Sequence, residues 1–100
     1  MDPEEIARLG KAYGLRTVEQ QLDRDALFDL IKRERFPIVV VYRRPMDAVD
    51  AGHAVIPLHV SRRHVTFLDP LRGKRRVTIA KFEEARRLAG RWVVVWDPGE

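Results

Sequence analysis

One hundred residues, 45% hydrophobic and 34% charged, describe a globular chain able to bury a modest core as a single domain over residues 1–100. The absence of cysteine excludes disulfides, thiolate metal sites and a cysteine nucleophile within the chain. Nineteen Lys and Arg against fifteen Asp and Glu leave a net charge of +4, which permits anionic partners without requiring them. No apolar run approaches the roughly 20 residues that span a bilayer. The opening MDPEEIARL is acidic where a signal peptide is basic, so a cytoplasmic chain is expected.

In chain order, Asp2 and Pro3 suit the start of a first helix with Ile6, Leu9 and Tyr13 on one face, and Gly14 suits its end. Leu15 to Gln20 alternates like a short strand. A second helix starts at Asp23 or Asp25, with Leu27, Leu30 and Ile31 inward and Lys32, Arg33 and Arg35 at its C-terminal end; Pro37 stops it. Ile38 to Tyr42 is a β-branched run expected to be covered on both faces. Arg43 to Gly52 reads as a loop. Two strands follow, His53 to Val60 and His64 to Asp69, joined by a turn at Ser61-Arg62-Arg63. Arg75 to Ile79 is a further strand. Thr78 or Ala80 opens a third helix lined by Phe82, Ala85 and Ala89 with Leu88 beside them, and Gly90 closes it. Arg91 to Trp96 is a last apolar strand. Phe28, Phe36, Phe67 and Phe82 are expected as core anchors, and Trp92 and Trp96 share one strand face. The fold class is α+β: an antiparallel sheet of about five to six strands with flanking helices.

His53 opens one strand and Asp69 closes the next. A turn centred on Arg62 places Asp69 opposite Val55, with His53 two residues along on the same face and about 7–8 Å away at the backbone. A turn centred on Ser61 places the pair directly opposite each other; a two-residue loop places them on opposite faces. An aspartate in reach of a histidine can accept its Nδ1 proton, fix the tautomer and stabilise the imidazolium formed at Nε2. The alternative is structural: Asp before Pro caps a turn.

The stretch GHAVIPLHVSRRHVTFLDPLRGKRRVTIAKFEEARRLAGRWVVVW resembles the C-terminal half of papain-like, bacteriocin-processing (double-glycine) cysteine peptidase domains. His53, Val55, Asp69, Pro70, Gly73, Thr78 and Phe82 match that pattern in order, and PEEIARLGKAYGLRT and DRDALFDLIKRERFPIVVVY resemble the preceding elements. The resemblance implies a partial papain-like domain with His53 and Asp69 at the catalytic positions. It covers only the later part of such a domain. The oxyanion glutamine and nucleophile cysteine precede anything that matches Met1, and Gln20 and Gln21 fall too late to replace the former. The only serine, Ser61, lies about 25 Å of strand from His53 and cannot serve as nucleophile.

The expected function is therefore non-catalytic: a peptide- or protein-binding subunit of a larger assembly, with a protein partner or a second copy covering an exposed sheet face. One alternative is the His/Asp-bearing half of a split cysteine peptidase whose cysteine lies on another chain or in a missing upstream region. Another is nucleic-acid binding through Arg62, Arg63, Arg72, Arg75 and Arg76 together with Lys74, although interleaved aromatics are lacking and the two ends of a hairpin divide the group. His53 and His59 share strand parity but lie about 20 Å apart; His59 and His64 could approach without a third ligand, so no metal and no cofactor are expected.

Overall fold

The computed structural model describes residues 16–47 and 52–97. The elements are β1 (Arg16–Gln21), α1 (Arg24–Lys32), β2 (Ile38–Tyr42), α2 (Arg44–Asp47), β3 (Gly52–Val60), β4 (His64–Asp69), β5 (Gly73–Thr78), α3 (Ile79–Leu88) and β6 (Trp92–Asp97). The six strands form one sheet in the order β1-β6-β2-β3-β4-β5, and every neighbouring pair is antiparallel. This is the α+β architecture expected from the sequence. The helix expected over Asp2 to Tyr13 falls outside the described residues.

Local chemistry sets most boundaries. Asp23 caps α1: its carboxylate accepts the Ala26 N–H at 2.8 Å. The Arg33 N–H donates to Asp29 O, and Glu34 (φ 55°) and Phe36 (φ 48°) turn the chain toward Pro37 through left-handed backbone. Arg35 thus lies beyond the helix, and Phe36 is half exposed rather than a core anchor. Thr78 caps α3 by accepting the Lys81 N–H. Gly90 (φ 88°) and Arg91 (φ 61°) end that helix, so β6 begins at Trp92, not Arg91. β5 begins at Gly73 rather than Arg75, because its φ of 78° completes the reversal out of β4. The expected loop from Arg43 to Gly52 contains α2, and Gly52 already belongs to β3. β1 runs to Gln21, one residue further than its alternation suggested, while Leu15 lies outside the described residues.

The main core lies on one face of the sheet. Leu27 and Ile31 of α1 and Phe82 and Ala85 of α3 pack with Val39, Val41, Val55, Val65, Phe67, Val77 and Val93. Phe67 and Phe82 meet as a tilted pair with ring centroids 6.0 Å apart. Each fully buried aliphatic side chain here contributes about 1.5–3 kcal/mol relative to exposure. A smaller cluster, Ala54 and Val94 with Ile38, lies on the opposite face, where Leu68 is partly exposed.

Arg86 rather than Leu88 completes the buried face of α3; Leu88 is exposed. The Arg86 guanidinium is fully buried. Its Nη1 donates to Glu83 at 2.7 Å and its Nη2 donates to the Leu22 carbonyl, tying α3 to the β1–α1 connection.

Candidate functional site

His53 sits at the start of β3 and Asp69 at the end of β4. Their alignment depends on the hairpin ladder. At the turn, the Ser61 N–H donates to His64 O at 2.9 Å, leaving Arg62 and Arg63 as the two residues of the reversal, and Val60 pairs with Val65. Unbroken, that register would set Asp69 opposite Ile56 and turn it away from His53. The ladder does not run unbroken. His59 pairs with Thr66 but Pro57 pairs with Phe67, so Leu58 is an extra residue, a β-bulge. Beyond it Ile56 pairs with Leu68. One step further Val55 lies opposite Asp69, with His53 two residues along on the same face.

The turn is thus not the three-residue one expected, yet the register at the site is the one that turn would have produced. The bulge also changes the place of His59. Read by strand parity it shares a face with His53; in the structure it lies on the opposite face, across from Thr66.

The two side chains meet. His53 Nε2 lies 2.8 Å from Asp69 Oδ1, and both are largely withdrawn from solvent, with 13% and 2% of their side chains exposed. Asp69 Oδ1 also accepts the Leu71 N–H at 2.8 Å, and Asp69 O accepts the Arg72 N–H at 3.2 Å, so the carboxylate caps the turn into β5 as well. Burial raises the Asp69 pKa. The hydrogen bond and charge of His53 and the backbone N–H groups of Leu71 and Arg72 outweigh it, and the net shift is downward.

Asp69 is therefore an ionised acceptor, and the imidazole must place its N–H at Nε2 to satisfy it. In the neutral ring the lone pair is then on Nδ1. This reverses the assignment expected from the sequence, where Asp69 was to hold Nδ1. Asp69 fixes the orientation of the ring through its bond to Nε2. Neither a cysteine nor a serine accompanies the pair. The chain has no cysteine, and Ser61 lies at the other end of β3, bonded to His64 through its own hydroxyl.

The five arginines are not gathered into one patch. Arg62 and Arg63 occupy the β3–β4 turn. Arg72 occupies the β4–β5 turn at the opposite end, and Arg75 and Arg76 project from opposite faces of β5, across from Phe67 and Thr66. Among the described residues no three of His, Cys, Asp and Glu converge to hold a metal ion. No described helix is long and apolar enough to cross a membrane.

The Leu71 N–H that Asp69 accepts is the turn cap expected as the structural alternative. The bulge at Leu58 was not expected, although Pro57 signalled it. A proline inside a strand flanked by two others belongs at a bulge or where a partner strand has ended, and here both hold, since the β2–β3 pairing stops at Val39 and Val55.

No protein-family model matches the sequence, and no curated protein matches it. Among solved structures, the fold is similar to the crystal structure of a protein from Bacillus anthracis provisionally described as a C39-like peptidase. The TM-score is 0.75 at 16% sequence identity, over 95% of this chain and 58% of that one. The likeness is one of fold. It agrees with the papain-like architecture implied by the sequence resemblance, and this chain spans 58% of that structure's length.

Proposed function

We propose that this chain is a non-cleaving, papain-like binding subunit that presents peptide- or protein-contacting surface within a larger assembly. The observation that carries the reading is the pairing of a peptidase-like fold and an ordered His53–Asp69 couple with a chain that holds no cysteine. Without a thiolate the couple cannot form an acyl-enzyme. Its persistence has a structural cause, because Asp69 anchors the turn at Leu71 and His53 satisfies the remaining demand of a buried carboxylate.

A second reading draws on the same geometry. With its Nε2–H donated to Asp69, a neutral His53 would offer Nδ1 as a general base to a cysteine supplied by another chain or by a missing upstream region. Gentle purification from the native host, intact mass measurement and alkylation with iodoacetamide separate the two. A stoichiometric partner with no hyper-reactive cysteine supports the binding subunit. A partner thiol whose alkylation slows when His53→Ala replaces the wild-type chain supports the shared active site. Absence of any stoichiometric partner, self-association included, overturns both.

A further inference from the structure

At the end of the sheet remote from His53, α1 faces the β3–β4 turn and the start of α3 across an open groove of about 460 Å³. One wall is a stripe of α1. Arg24, Phe28 and Lys32 recur at i, i+4 and i+8 and so lie on one helix face. The facing wall is Val60, Ser61, Arg62 and Ile79. Phe28, Val60 and Ile79 are partly buried and pack against the main core, so they form an apolar floor. The cations rim it. Among the described residues, Asp25 is the one carboxylate lining this part of the groove and lies 3.8 Å from Arg24, while Lys32 and Arg62 have no acidic partner. A smaller depression of about 230 Å³ shares Lys32 and Val60 and extends the groove past Leu58 and His59, with Glu34 at its margin.

We infer that this groove binds an extended peptide segment of alternating acidic and apolar residues from a protein partner. The apolar floor takes alternate side chains, and Lys32 and Arg62 take the intervening carboxylates. The stripe from Arg24 to Lys32 measures about 12 Å at 1.5 Å per residue, which fits about four extended residues at roughly 3.3 Å each. A nucleic acid would need a stacking platform, and the floor offers one aromatic ring between two aliphatic side chains. This gives the binding role proposed above a surface and a ligand chemistry, and it rests on that reading.

The test uses the full chain labelled with ¹⁵N and titrated with capped peptides that alternate Glu with Leu, Val or Phe. A Lys-for-Glu set and oligo-dT serve as comparison ligands. The expected result is amide shifts centred on Arg24, Phe28, Lys32, Val60, Arg62 and Ile79. The Lys32→Glu/Arg62→Glu variant should raise the Kd at least tenfold, and the Lys peptides should not bind. Both substituted side chains are exposed, so an unchanged melting temperature verifies the fold of the variant. Shifts centred elsewhere, for example around His53, overturn the groove but leave the binding role intact. No shifts with the acidic peptides, equal shifts with oligo-dT, or an unaltered Kd in the variant also overturn it. The binding role itself stands or falls on the co-purification experiment.

Discussion

The two ends of β3 run against the same neighbour in different registers. At the turn end, Val60 faces Val65 and the short reversal at Arg62-Arg63 is closed by Ser61 and His64, in solvent. At the other end, Pro57 faces Phe67, the strand lies between β2 and β4, and His53 meets a buried aspartate. The turn end is held by local hydrogen bonds. The dyad end is held by packing against Val41, Val55 and Phe67 and by a charge-assisted bond. The lesson is that a hairpin's turn does not dictate the geometry at its open end when one extra residue can be absorbed between them.

Substitutions at each end should separate these contributions. Phe67→Ala empties the core beneath both and should cost about 3–5 kcal/mol, read as an early, less cooperative thermal transition. Asp69→Asn strikes the open end alone. It should cost about 1–3 kcal/mol near neutral pH, because Asn keeps the Leu71 contact but loses the charge.

The pH dependence has a definite sign. The folded Asp69 pKa is lowered, so its contribution is present above the ordinary aspartate value of about 3.9 and is lost as pH falls through the depressed value. Urea titrations should show wild type and Asp69→Asn converging in acid; a gap that stays constant would deny the carboxylate its role. Gly73→Ala tests the turn that Asp69 caps. The site has open space for a Cβ, so the cost is conformational, about 1–2 kcal/mol for a φ of 78°. Ser61→Ala, at the solvent end, should change stability by about 0.5 kcal/mol or less. It should leave the His53 imidazole resonances unmoved, which NMR can verify.

What was legible in the chain follows the same division. The β-branched run of β2 and the stop at Gly90 depend on neighbours within a turn or so and stand where their residues indicate, while Asp23 and Thr78 are each one of the two helix starts the residues allowed. Arg86 was illegible because its burial depends on Leu22, remote in sequence, offering a carbonyl. Phe36 looked like core, but the left-handed backbone before Pro37 directs it outward. At the site, the meeting of His53 and Asp69 was an open question of register. The three-residue turn that favoured it is absent. A two-residue reversal and a bulge offset each other to give the same face, and only Pro57 carried a trace of the second.

The extra residue at Leu58 has a consequence for chain length. Deleting Leu58 would join Pro57 directly to His59, turn a two-against-one step into regular pairing, and leave Val55 opposite Asp69. Adding a residue between Val55 and Pro57 would instead demand a second irregularity or rotate His53 to the far side of the sheet. This segment should therefore tolerate shortening better than lengthening, and the histidine–aspartate couple should survive in a chain one residue smaller.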